Sequence, residues 1–196
     1  DPHEIANVFG LAGIEAFMAS EPVMDIFYGI PSSVPSTNPD CETTGGVIGL
    51  EEVEKLLDNP QIRCLGEVMN FKELISEDDT LIRQIIALCK KKRPLLPLEG
   101  HCPKISGADL AKFIASGVNA DHTQQTPESI VEKITNGMYL EMQGKSIQED
   151  TIRTLMEHQF YEYFSLVTDD VMPDHFLHGH LNQVLLSAVR CGLPME

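Results

Sequence analysis

The sequence predicts an α/β protein in which parallel strands alternate with helices, arranged as a (β/α) barrel or most of one. Short apolar runs of strand length alternate with helix-period segments along the whole chain, the pattern of a parallel sheet. Four of those runs end on a metal-type residue: Glu67 after IRCLG, His101 after PLLPLEG, His122 after ASGVNAD and Asp169 after YFSLVT. A (β/α) barrel builds its active sites at the C-terminal mouth of its strands, so carboxylates and imidazoles at successive strand ends fit that architecture. Their chemistry points to a metal centre that activates water.

Each element has its own signal. Glu4 to Ser20 predicts a helix, with Ile5, Val8, Leu11, Ile14 and Phe17 near a 3.6 period. VMDIFYGIP follows as a strand over 23–30, closed by Pro31. The loop SSVPSTNPDCETTGG is long for a compact domain, and such loops are often functional. GLEEVEKLLDNP is a short helix that stops before Pro60, and the strand 62–67 comes next. In SEDDTLIRQIIALCKKK, Ser76 with Asp79 resembles a capping box. Acids open this helix and Lys90, Lys91 and Lys92 close it, as the helix dipole favours. A strand over 94–100 leads to a helix in SGADLAKFIAS capped by Ser106, then a strand over 117–121. TPESIVEKITNG carries Thr126 as cap, Pro127 in the first turn and Gly137 as stop. After a strand over 138–142, Ser146 and Glu149 match a capping box for a helix reaching His158. The last strand covers 163–169 and the last helix Asp174 to Cys191. The whole is read as a single catalytic-barrel domain, residues 1–196, containing six of the strands.

Composition narrows the function. The net charge of -16 argues against nucleic acid or an anionic membrane as partner, since both need a cationic surface. No run approaches the roughly 20 apolar residues of a membrane span. Cys41, Cys64, Cys89, Cys102 and Cys191 are odd in number, widely spaced and without a CxxC pair, which fits reduced thiols in the cytoplasm. The 196 residues are short of the roughly 250 of a complete barrel. With a start at Asp1 rather than Met, the expectation is a fragment of a longer protein.

The candidate site residues carry alternative readings. Glu67 could bridge metal ions or act as a base, or simply bond a neighbouring helix N-terminus. His101 and His122 stand at consecutive strand mouths, where neutral imidazoles suit Zn, Fe or Mn, although a lone histidine is more often structural. Asp169 is placed to ligate an ion and accept a proton from water, with helix capping as the plainer role. His175, His178 and His180 in HFLHGH fall in the predicted helix, where i and i+2 face different sides, so the HxH spelling is not read as a metal pair.

Longer motifs then identify a family. DPHEIANV, SSVPST followed by ETTGG, GEVMNF, EGHCPKISGADLAKFIASGVNADH, GMYLEMQ and VTDDVMPDHFLHGHLN, in that order, resemble the bacterial adenine deaminases of the amidohydrolase superfamily. The resemblance implies a (β/α)8 barrel of the metal-dependent hydrolase type, with Mn or Fe, or alternatively Zn, as the divalent metal. The substrate it implies is adenine, converted with water to hypoxanthine and ammonia in purine salvage. Glu67 matches the carboxylate that bridges the paired metals; His101 and His122 match the histidine ligands. Asp169 matches the aspartate that ligates metal and shuttles protons, so Asp169 and Glu67 are the catalytic pair. Candidate substrate-binding residues are His3, Glu4, Ser33, Asp170 and His180. A homo-oligomer is compatible with the family.

There are two departures from the family pattern. The family's HxH pair precedes the DPHE segment and is absent from this chain, along with the first strand and most of the second. GHCPKISG replaces the usual GHAPGLSG wording and puts Cys102 beside His101. Two other readings therefore stay open: another amidohydrolase reaction, on a different purine or a cyclic amide, or a truncated, non-catalytic remnant. The expectation is that the 196 residues alone turn over adenine poorly or not at all.

Overall fold

The computed structural model describes residues 1–37 and 40–195. Asn38 and Pro39 of the predicted loop lie outside the described residues. The chain divides into two compact units. The first comprises Asp1–His101 and Ala115–Val118, the second Cys102–Ile114 and Asn119–Glu196.

In the first unit, α1 (His3–Ala19) is followed by β1 (Tyr28–Pro31), α2 (Leu50–Leu57), β2 (Ile62–Val68), the short α3 (Phe71–Leu74), α4 (Leu81–Lys92) and β3 (Leu98–Gly100). The strands form a parallel sheet in the order β1-β2-β3. Its core follows from the helix patterns. Val53, Leu56 and Leu57 make the buried stripe of α2, and Ile82, Ile85, Ile86 and Cys89 that of α4. Both stripes recur at three- and four-residue spacing, so each helix has one face to bury. They join Ile30, Ile62, Leu65, Val68 and Leu98 from the strands, all removed from water.

The ETTGG segment docks on α1. Gly45 N and Gly46 N both donate to Asn7 O, at 2.7 and 3.1 Å. A Cβ on Gly46 would overlap the backbone of Ala6 and Gly10, so only glycine permits this approach. Gly10 has φ 58 and ψ -146 inside α1, a conformation open to glycine alone.

The second unit contains α5 (Gly107–Ala115), β4 (Ala120–Asp121), α6 (Pro127–Thr135), β5 (Tyr139–Met142), α7 (Glu149–Glu157), β6 (Phe164–Leu166) and α8 (Leu181–Arg190). Ala115, the last residue of α5, is counted with the first unit. Its strands form a second parallel sheet, ordered β4-β5-β6. Ile130, Ile134, Leu140, Met142, Ile147, Ile152, Leu155 and Ala188 are its core. The α6 cap is as predicted: Ser129 N donates to Thr126 Oγ1 at 3.3 Å, with Pro127 at the first helical position. Gly137, with φ 93, ends the helix.

The α/β class and the parallel strands hold, but among the described residues the strands form two three-stranded sheets and no closed barrel. Several boundaries also move. The predicted strand 23–30 shrinks to Tyr28–Pro31, because Val23, Met24 and Phe27 are exposed and have no sheet to face. The strand 94–100 begins only at Leu98. Ser76 does not cap α4; its hydroxyl donates to Glu73 O at 2.8 Å, and Thr80 stands at the cap position. Ser146 is not a helix cap either: it ends a 3-10 turn, and its hydroxyl accepts from Gln125 N at 2.9 Å. The predicted helix Asp174–Cys191 is broken. Pro173–His178 is a 3-10 helix, Gly179 has φ 117, and α8 starts at Leu181.

No helix among the described residues is long and apolar enough to cross a membrane. Burial separates the cysteines. It pushes the Cys89 thiol up to about 11, and raises that of Cys102 as well. Thiolate is the reactive form, and at pH 8 a group with so raised a pKa remains protonated. Iodoacetamide at pH 8 should therefore modify the exposed Cys41 well before Cys89 or Cys102. Peptide mass spectrometry over time checks this; equal labelling of Cys89 and Cys41 in the folded protein would contradict it.

Candidate functional site

In the first unit, parallel register brings two predicted ligands together. Val68 of β2 pairs with Gly100 of β3, so Glu67 near the end of one strand lies beside His101 just after the next. Glu67 Oε2 is 3.3 Å from His101 Nδ1, and the two side chains keep 19 % and 34 % of their exposure. Ser32 fixes the strand end by donating its hydroxyl to Glu67 O at 2.7 Å. Ser33, a predicted substrate contact, is buried beside it, with the two hydroxyl oxygens 3.4 Å apart.

The DPHE segment reaches the same carboxylate. The Asp1 side chain is 1 % exposed, and its Oδ1 is 2.9 Å from His3 Nδ1. A Cβ on Gly66 would overlap the Asp1 carboxylate, so this glycine makes room for it. One donor atom each from Asp1, His3 and Glu67 lie within 4.8 Å of one another. Glu4 is exposed and sits 3.3 Å from His3 Nε2. Sequence reasoning did not single out Asp1, although it opens the DPHE motif. A mixed set of carboxylate and imidazole donors fits a divalent cation such as Mn, Fe or Zn.

In the second unit, His122 follows the last residue of β4 and is nearly buried. Its Nδ1 lies 3.9 Å from Glu141 Oε2 on β5. Its carbonyl accepts a hydrogen bond from the Gln143 side-chain amide. Beside it sits a cluster that sequence reasoning missed. Asp121, wholly buried, accepts at Oδ2 from Lys133 Nζ at 2.7 Å, Thr123 Oγ1 at 2.7 Å and Gln125 Nε2 at 2.6 Å. Its Oδ1 accepts from Cys102 N at 2.9 Å. Burial alone would raise the Asp121 carboxyl. The Lys133 charge and these donors outweigh it and hold the group below its ordinary value of 3.8. A signal for the cluster existed, since Lys133 occupies the same buried stripe of α6 as Ile130 and Ile134.

Asp169 is not the end of a strand, because β6 stops at Leu166. It stands in the following loop with φ 60, accepts at Oδ1 from Asp170 N at 2.8 Å and has Lys145 Nζ 4.0 Å from Oδ2. Asp170 is exposed. His180 is exposed at the start of α8, its ring 5.0 Å from that of Phe176. His178 and His180 thus flank a left-handed glycine and do not share one helix.

No family model matches the sequence. Individual relatives do, along its whole length. The chain is 58 % identical over 196 residues to adenine deaminase 2 of Oenococcus oeni, covering 100 % of this chain and 35 % of that protein. It is 56 % identical to an adenine deaminase of Clostridium perfringens, covering 34 % of it. It is 53 % identical to one from Lactobacillus delbrueckii subsp. bulgaricus, covering 35 %. The chain therefore spans about a third of the length of these curated relatives. The resemblance carried by its motifs is thereby shown, and the whole of this chain is homologous to adenine deaminases.

Proposed function

We propose that this stretch supplies metal-binding and proton-transfer residues to an enzyme that hydrolyses adenine to hypoxanthine and ammonia. The observation that carries the proposal is the pairing of Glu67 with His101 at adjacent strand ends, within a chain 53–58 % identical throughout to adenine deaminases. Glu67, His101, His122 and Asp169 would hold the divalent metal, Mn, Fe or Zn. When bound, the metal supplies Lewis acidity that brings water towards ionisation near neutral pH. Asp169 takes the proton as the water oxygen attacks the ring carbon bearing the amino group. It then passes that proton to the departing nitrogen, so that the C–N bond breaks and ammonia leaves. Glu67 keeps the metal ligands together, and Ser32 holds Glu67 through its backbone. His3, Glu4, Ser33, Asp170 and His180 are proposed substrate contacts.

We place the six strands in a (β/α)8 barrel, which the parallel order within each sheet supports. The proposed compartment is the cytoplasm, in line with widely spaced cysteines and no CxxC pair.

The test is a substrate comparison. A protein carrying this stretch at the length of its relatives, loaded with Mn, Fe or Zn, should release ammonia from adenine and form hypoxanthine. Adenosine should be left intact. Ammonia release from adenosine at a comparable rate, or none from adenine, would overturn the assignment.

A further inference from the structure

The buried ion pair of the second unit has a place in the fold that its stability alone does not explain. Desolvating Asp121 and Lys133, 0 % and 1 % exposed, costs energy that a well-packed apolar pair would avoid. Yet every donor around Asp121 fixes backbone next to a proposed ligand. Asp121 immediately precedes His122, and its carboxylate binds the peptide nitrogen of Cys102, which follows His101 in the chain. Lys133 Nζ also lies 3.4 Å from Cys102 O. Thr123, immediately after His122, donates its hydroxyl to the same carboxylate, and Gln125 adds its amide. Gln143 holds the His122 carbonyl itself.

Neighbouring side chains along an extended strand point to opposite faces. Anchoring Asp121 on the α6 side therefore sets the direction of His122, whose ring meets Glu141 of β5 instead. A histidine ligand must be aimed within narrow limits, and its outer partners govern metal affinity nearly as strongly as the ligands do.

We infer that Asp121 and Lys133 are a positioning pair that aims His122 at the metal. This rests on the proposed ligand role of His122. The pair touches neither metal nor substrate and acts through the backbone on either side of the imidazole.

The experiment is a Co2+ titration of the full chain, read by chelator competition and by the visible absorption of the bound ion. The variants are Asp121→Asn/Lys133→Met, which replaces the pair with neutral groups of similar shape, Thr123→Val, and His122→Ala as reference. Far-UV circular dichroism and thermal melting report the fold. The double variant should remain folded, bind Co2+ about tenfold or more weakly and show an altered spectrum. Wild-type affinity and spectrum in a folded double variant would overturn the inference, provided His122→Ala weakens binding. If the double variant does not fold, Thr123→Val decides: weaker binding with a changed spectrum supports the pair's role, and no change overturns it. If His122→Ala and the wild type bind Co2+ equally, or neither binds it, the ligand role of His122 fails and the inference falls with it.

Discussion

Asp169→Asn, made in a protein of the relatives' full length, is expected to lower adenine turnover by about 10²–10⁴-fold, the usual worth of a positioned proton acceptor. The substitution suits the backbone. Asp169 has φ 60, and asparagine is among the few residues that accept the left-handed region readily. An amide oxygen can also keep the hydrogen bond from Asp170 N. What is lost is the negative charge and the capacity to take a proton at neutral pH. Ammonia release measured beside a thermal melt separates the effects. Unchanged melting with collapsed turnover assigns the chemistry to Asp169. Near-normal turnover would move proton transfer to another group.

The second large effect concerns the fold. Lys133→Met leaves the Asp121 carboxylate buried without its cation, and breaking a buried pair from one side costs about 3–5 kcal/mol. Domains have only about 5–15 kcal/mol of stability in all, so the change should be plain in a urea denaturation midpoint. The pH dependence gives a second reading. In the wild type, Asp121 titrates below 3.8, so its contribution is complete above that value and is lost only as pH falls through the lower folded one. Between pH 7 and 5 the wild-type midpoint should not respond to this group. Without Lys133, burial dominates and raises the carboxyl, and a group with a raised folded pKa gains stability as pH falls and it takes up its proton. The variant should thus recover part of its deficit at pH 5. A deficit that is small, or constant with pH, would show that the charge pair does not dominate the cluster.

The sequence carried the strand ends that matter most. Glu67 was legible because the strand-length run IRCLG leads directly into it, and His101 because the run PLLPLEG does the same. The helices with one clear apolar stripe, α2, α4 and α6, were legible for the same reason. Misreadings came where local pattern and tertiary context part. VMDIF has strand composition but faces water. Asp174 to Cys191 has helical composition, yet the backbone at Gly179 turns left-handed and divides it. Ser76 and Ser146 have capping spelling, but other partners take their hydroxyls. The Asp121–Lys133 pair was hidden for another reason. Its members lie twelve residues apart in different elements. The lysine on the apolar stripe was the single visible trace.

The interruption of α1 at Gly10 bears on how the protein acquires its structure. It leaves helical pieces over 3–9 and 11–19, each below the roughly 12–15 residues at which an isolated helix is even marginal in water. Neither piece can serve as an early local nucleus. Residues 3–9 carry the Asn7 carbonyl that receives Gly45 and Gly46, more than thirty positions later in the chain. The ordering of the DPHEIANV segment is therefore a non-local event, delayed until the distant glycines arrive. Amide protons from Ala6, whose N–H donates to Pro2 O, to Phe9 should exchange with solvent in step with those of Gly45 and Gly46, as one cooperative unit.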